Sequence, residues 1–264
     1  MTDGGPYAEL SEFASRIASR AAADIREAFL GEFEIDSKGK TNLVTEIDRR
    51  VEECLFEAVR GEYPDHSILA EEGHEATADT DWLWVIDPLD GTNNFAHGYP
   101  MVAVSVAVQY KGKTVVGVVH DAIHDEGFYA VAGGGAWGDK GRLRVSDTKS
   151  LIESIVATGF PYDKHESDVD NLGNWCRVTK RVRGIRRGGS AALDLAYVAA
   201  GRLDAFWELK LSPWDTAAGV LLVTEAGGVV SRFDGSPYSI YDIDIMAGTP
   251  AVYEELKPLL RIEG

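Results

Sequence analysis

Six residues, Asp87-Pro88-Leu89-Asp90-Gly91-Thr92, place two carboxylates three positions apart behind the apolar run Trp82-Leu83-Trp84-Val85-Ile86. Hard divalent cations take carboxylate and carbonyl oxygens. Phosphate takes free backbone N–H groups at the start of a helix. This stretch could offer both, with a proline to stiffen the turn, a glycine for close backbone approach and a threonine hydroxyl. The same letters also suit an ordinary loop, because Asp-Pro and Asp-Gly are turn formers. The other candidate acids read two ways as well. Asp48 stands three residues after Thr45, so it is either the acid of a capping box or a functional carboxylate. Glu71-Glu72-Gly73 ends a short apolar run and suits a solvated loop. Asp215, behind Pro213-Trp214, suits a first-turn helix acid.

The elements that must position these groups follow from periodicity. Leu10, Phe13, Ile17 and Ala21 recur at spacings of three and four, which predicts an amphipathic helix over 7–30, stopped by Gly31. A second helix is expected over 46–61, after the polar loop 38–42. Cys54 shares a face of it with Ile47, Val51 and Ala58 and is expected to be a core thiol. Residues 67–70, 82–86, 102–110, 114–120 and 127–131 read as strands, with a hairpin at Lys111-Gly112-Lys113. His120 and His124 straddle a strand end and a turn, so they read as surface polarity rather than metal ligands. In the second half, strands are expected over 154–158, 202–208, 229–233 and 245–248. Helices are expected within 162–180 and over 191–200, 216–226 and 251–261. Ser190 is the expected N-cap of the helix to 200, and the small residues around it let a ligand approach the helix start. Lys180, Arg181, Arg183, Arg186 and Arg187 form the one dense basic patch, either a solvated strand face or an attractor for an anion.

A chain of 264 residues has room for one large domain or two smaller ones. The net charge of −17 argues against general binding to nucleic acid or to an anionic membrane. It also means that an anionic substrate needs local positive charge, which bound metal ions can supply. Cys54 and Cys176 make neither a disulfide framework nor a cysteine zinc site. No basic stretch precedes an apolar core at the start, and no apolar run reaches the length of a membrane span, so a cytoplasmic location is expected.

Four blocks resemble the inositol monophosphatase family, part of the metal-dependent, lithium-sensitive phosphatase superfamily that includes fructose-1,6-bisphosphatase. They are Thr41-Asn42-Leu43-Val44-Thr45-Glu46-Ile47-Asp48, Leu69-Ala70-Glu71-Glu72, the segment from Trp84 through Asp87-Pro88-Leu89-Asp90-Gly91-Thr92 to Phe95, and Trp214-Asp215-Thr216-Ala217-Ala218-Gly219 through Glu225-Ala226-Gly227-Gly228. The resemblance implies a layered α/β (α+β) fold with α-β-α-β-α layers, an N-terminal part of 1–145 and a C-terminal part of 146–264. It implies two to three Mg²⁺ ions. Glu71, Asp87 and the Leu89 carbonyl would hold the first, and Asp87, Asp90 and Asp215 the second. A third, weaker ion would be held mainly by water and Glu71. It further implies that Asp48 with Thr45 orients the attacking water, and that Gly91 and Thr92 cradle the phosphate. Gly189, Ser190, Ala191 and Glu208 would contact the alcohol part of the substrate.

The implied reaction is hydrolysis of a small sugar or polyol phosphate, inositol 1-phosphate first. Fructose 1,6-bisphosphate, histidinol phosphate or an adenosine bisphosphate is the alternative. A regulatory protein of the same fold, acting with RNA-processing or transcription machinery, is the alternative from another class. A homodimer is implied as well. Carboxylates so clustered repel one another, and divalent cations remove that cost while neutralising a phosphate ester. Residues 209–213 depart from the pattern of the animal enzymes, which leaves substrate identity the least fixed of these expectations.

Overall fold

The periodicities resolve, in a computed structural model, into elements that run α1 (Ala8–Phe29), β1 (Ile35–Ser37), β2 (Leu43–Thr45), α2 (Glu46–Glu62), β3 (Ser67–Ala70), β4 (Glu75–Ala76), β5 (Trp82–Asp90), α3 (Thr92–Ala96), β6 (Ala103–Tyr110), β7 (Lys113–Asp121), β8 (Glu126–Val131), β9 (Gly135–Gly138), β10 (Gly141–Arg142), β11 (Ile155–Thr158), α4 (Leu172–Val178), β12 (Gly184–Arg186), α5 (Ala191–Ala199), β13 (Ala205–Leu209), α6 (Pro213–Glu225), β14 (Val229–Ser231), β15 (Asp244–Gly248) and α7 (Pro250–Leu256). The structure describes residues 6–31, 35–37 and 43–263, and omits the side chains of 35–37, 43–45 and 76. The polar loop expected over 38–42 lies outside the described residues.

An eight-stranded sheet is ordered β10-β9-β8-β7-β6-β5-β3-β4, a five-stranded sheet is ordered β12-β11-β13-β15-β14, and β1 pairs with β2. The period-two alternation of side chains decides how the sheets are covered. Along β6, Val104, Val106 and Val108 pack against Phe13 and Ile17 of α1 and Val51 and Leu55 of α2. Ala103 and Ala107 face the other way and meet α5 and α6. Along β13, Phe206 joins that same middle core. Ala205, Trp207 and Leu209 point outward to Val252 and Leu256 of α7 and Val178 of α4. The result is the expected α-β-α-β-α stack.

Small residues bring the middle helices close. A Cβ on Gly117 of β7 would stand 2.7 Å from the Ala218 carbonyl oxygen, and one on Gly219 would stand 2.6 Å from Leu195 of α5. Bare glycines let α6 lie directly on the sheet and on α5 at native packing density. The Ser105 hydroxyl donates to the Trp214 carbonyl at 3.1 Å, which fixes the start of α6 against the sheet.

Three expectations need correction. Cys54 is exposed, as is Cys176. The inward stripe of α2 is Ile47, Asp48, Val51, Glu52, Leu55 and Val59. Two buried acids rotate it away from Cys54, and a count of apolar residues alone leaves them out. His120 is buried, with Nε2 3.2 Å from Asp125 Oδ1. The neighbouring Asp121 accepts from Tyr197 Oη at 3.0 Å and bonds His124 Nδ1 at 2.9 Å, tying the β7–β8 turn to α5; only the ring of His124 is surface. The strand read as 82–86 runs on to Asp90, through the residues expected to form a turn.

Candidate active site

The extra length of β5 matters because of its register with β6. Asp87 pairs with Ser105 and Asp90 with Ala103, so three steps along β5 match two along β6. One residue is therefore extra, which is a β-bulge. In a regular strand, positions 87 and 90 would point to opposite faces. The bulge cancels that alternation, and Pro88, which has no N–H to give a ladder, is tolerated there. Asp87, Asp90 and Asp215 end with carboxylate oxygens all within 4.8 Å of one another.

Each acid is held from a different part of the chain. The Asp87 Oδ1 atom accepts the Leu89 N–H at 3.0 Å. Its Oδ2 is the one buried side-chain polar atom without a hydrogen-bond partner among the described residues. Asp90 Oδ2 accepts from Ser190 Oγ at 2.6 Å and from the Ala192 N–H at 2.7 Å, joining β5 to the start of α5. Ser190 also caps α5, accepting from the Leu193 N–H at 3.3 Å. Asp215 Oδ2 accepts the Ser212 N–H at 2.7 Å, within the first turn of α6. Burial, and then the charges of Glu71, Asp90 and Asp215, push the Asp87 carboxyl well above the usual range. Burial also raises Asp90 to about 6, against the pull of the Ser190, Ala192 and Ala191 hydrogen bonds and the Arg187 charge. Asp215 is raised well above its ordinary range by burial first, and then by the charges of Asp90 and Glu71.

This donor set fits divalent cations. One of the three clustered acids carries an orphaned carboxylate oxygen, and a cation or a proton relieves that arrangement. Glu71 and the buried Leu89 line the same cavity of about 290 Å³, with Gly91, Thr92, Gly189, Ser190, Ala191 and Glu208. Asp48 is fully buried, and the Thr92 hydroxyl lies 2.9 Å from its Oδ1 and 3.2 Å from the Leu89 carbonyl oxygen. Thr45 is the last residue of β2, directly before α2, and its side chain lies outside the described residues. Of the basic patch, Arg187 alone lines the cavity.

Gly91 has φ +99°, and a Cβ there would stand 2.6 Å from the Met101 carbonyl oxygen. Gly91→Ala is therefore expected to lose about 1–3 kcal/mol through backbone strain alone. Urea unfolding checks this, with the midpoint falling and the slope unchanged.

Several residues of the site carried no clear signal in the sequence. α3 has five residues and no apolar period, so nothing in the sequence marks the helix behind Gly91. Asn94 on it bridges the halves, donating through Nδ2 to Met101 O at 2.7 Å and to Gly188 O at 2.9 Å. Asp194 is buried one turn after Ser190 and lines the cavity, and that spacing could have revealed it. Phe160, Pro161, Tyr162 and Lys210 also line the cavity, and no pattern marks them.

The Glu208 carboxyl is raised to about 8, first by burial and then by Asp194. A carboxyl with a raised folded pKa binds its proton in the native state while the unfolded chain has lost it. The stability it contributes is present below the unfolded pKa of 4.5 and fades as pH rises through about 8. Glu208→Gln mimics the neutral form. It should match the parent's Tm at pH 5 and exceed it by a few degrees at pH 8, as read in metal-free thermal melts.

Solved structures share this architecture over nearly the whole chain. The extragenic suppressor protein suhB of Bartonella henselae superposes with a TM-score of 0.90 at 36% identity, covering 96% of this chain and 99% of that one. An inositol monophosphatase of Anabaena does so with a TM-score of 0.87 at 40% identity, covering 95% and 94%. The sequence pattern of the inositol monophosphatase family matches residues 7–262, and the chain belongs to that family. Among its relatives are a Nus factor SuhB of Pseudomonas aeruginosa, 46% identical over 91% of this chain and 93% of the relative, and an inositol-1-monophosphatase of Synechocystis, 41% identical over 94% and 88%. No helix of the described residues is long and apolar enough to cross a membrane.

Proposed function

We propose that the protein is a Mg²⁺-dependent phosphomonoesterase acting on a small sugar or polyol phosphate, with inositol 1-phosphate as the preferred candidate. The observation that carries this reading is the convergence of Asp87, Asp90 and Asp215 around the orphaned Asp87 Oδ2. Glu71, Asp87, Asp90, Asp215 and the Leu89 carbonyl would hold two to three ions. When bound, such ions supply charge neutralisation for the phosphate and for the leaving oxygen, and they acidify water.

The remaining work falls to the chain. Asp48, kept against Thr92, orients the attacking water through that hydroxyl. Thr45 stands three residues before Asp48. The backbone of Gly91 and Thr92 receives the phosphate oxygens, and the left-handed glycine lets the phosphate come close. Ser190 and Ala192 clamp Asp90, so the alcohol side of the cavity and the carboxylate cluster move as one unit. Gly189, Ser190, Ala191 and Glu208 meet the sugar hydroxyls. A Glu208 carboxyl that keeps its proton near neutrality can both donate and accept toward a hydroxyl.

Phosphate release from inositol 1-phosphate, fructose 1,6-bisphosphate, histidinol phosphate and 3′-phosphoadenosine 5′-phosphate, with Mg²⁺ and with EDTA, tests the reading. Turnover of at least one of them that EDTA abolishes is expected; none turned over would overturn it. A second reading rests on the name of the Pseudomonas relative: a factor that acts with transcription or RNA-processing machinery. It predicts that the protein binds a component of that machinery and that alanine at Asp90 leaves the binding intact. The division at about residue 145, the cytoplasmic location, a homodimer and the absence of nucleic-acid and membrane contacts belong to the same proposal. Light scattering on the purified protein checks the dimer.

A further inference from the structure

Glu52 is a fully buried acid outside the cavity. It sits on α2 one turn beyond Asp48, which is also fully buried. A carboxylate taken out of water needs donors to repay the loss. Glu52 has three. Its Oε2 accepts the Glu72 N–H at 2.6 Å, and its Oε1 accepts the His74 N–H at 3.0 Å and bonds His74 Nδ1 at 2.8 Å. Between the two amides stands Gly73, whose φ of +106° turns the chain so that both can reach one carboxylate. His74, which is half-exposed, covers the pair from solvent and lies with its ring centroid 5.2 Å from that of Phe56.

The clamped turn begins at the residue after Glu71. Glu71 lines the cavity, and its charge is the largest contribution after burial to the raised Asp87 carboxyl. The chain from β3 leaves the sheet at Ala70, so the strand ladder does not fix the two residues that follow. We propose that Glu52 is a positioning residue: by gripping the amides of Glu72 and His74 it holds Glu71 beside Asp87, ready for a cation. One turn of α2 then relates the Asp48 carboxylate to Glu71 rigidly, since both depend on the same helix. A ligand held in place before the ion arrives loses less side-chain freedom on binding, and that difference appears as affinity.

The inference rests on Glu71 being a metal ligand, so its test reads metal binding and not turnover. Mn²⁺ is titrated calorimetrically into the metal-free full-length protein, its Glu52→Gln variant and its His74→Ala variant. Outer partners of metal ligands are typically worth about 10- to 100-fold in affinity. Glu52→Gln keeps the volume but turns an amide toward backbone N–H groups, and its Kd is expected to rise by about that factor. His74→Ala removes one of the three contacts and should raise Kd only a few-fold. In both variants kcat at saturating metal should fall by less than Kd rises. A folded Glu52→Gln protein with the parent's Kd would overturn the inference while leaving the phosphatase reading intact. If that variant does not fold, an unchanged Kd in His74→Ala overturns it instead. A parent protein that binds no Mn²⁺ would overturn the metal site itself, and the inference with it.

Discussion

Asp90→Asn is expected to lower kcat for phosphate release by about 10³-fold, the combined order of a lost charge contact and a disturbed ligand. The direction follows from how the side chain is held. Asp90 Oδ2 already accepts from Ser190 Oγ and from the Ala192 N–H. An asparagine must keep its carbonyl oxygen on those donors, because its NH₂ cannot face the Ala192 N–H. The NH₂ is then aimed at Asp87 and Asp215, where a cation would sit. The variant thus loses a negative charge and presents two donor hydrogens to the metal position. The fold should survive, because a neutral amide relieves the repulsion among three clustered acids. Circular dichroism and a metal-free melt near the parent's, together with steady-state phosphate release, check both parts. Parental activity in this variant would remove Asp90 from the machinery.

Removing divalent metal is expected to abolish turnover and to lower Tm by about 5–10 °C. Asp87, Asp90 and Asp215 bring carboxylate oxygens within 4.8 Å of one another, with Asp87 and Asp90 buried and Asp215 partly so. Without cations the cluster keeps its strain or takes up protons, and both weaken the folded state. A ligand at 100 times its Kd stabilises a protein by about 2.7 kcal/mol. For a chain of this size each kcal/mol moves Tm by about 2–4 °C. Melts in Mg²⁺ and in EDTA provide the measurement. The shift should shrink in Asp90→Asn, which has less repulsion to relieve and a poorer site. A Tm indifferent to EDTA in the parent would sink the claim that the cluster is a cation site.

The two predictions depend on different kinds of information. The sequence alone determined the elements with strong periods and the local chemistry of the motifs. The apolar spacing of α1, the strand-like runs of β6 and β13 and the stop signal at Gly31 depend on neighbours a few residues away. Helix and strand periods translate directly into buried faces, while the five-layer order was an expectation carried by the family resemblance alone. Asp87, Asp90 and Asp215 were visible as acids beside turn and cap residues, and the family blocks linked them.

What only the tertiary structure decided is which way those residues face. The extra residue of the β5 bulge exists only relative to β6, so the sequence from 87 to 92 read as a turn. Asp48, Glu52 and His120 point inward because partners elsewhere compensate their burial, Glu52 through amides 20 and 22 positions away. Hydrophobic counting puts such groups outside, and by that count Cys54 falls in the core in place of its polar neighbours. The halves of the cavity are joined by Asn94 to Gly188 across 94 positions and by Asp90 to Ser190 and Ala192 across 100 and 102. Contacts at that separation leave no periodic trace, because their geometry is set by how two sheets and two helices stack and not by any local rule.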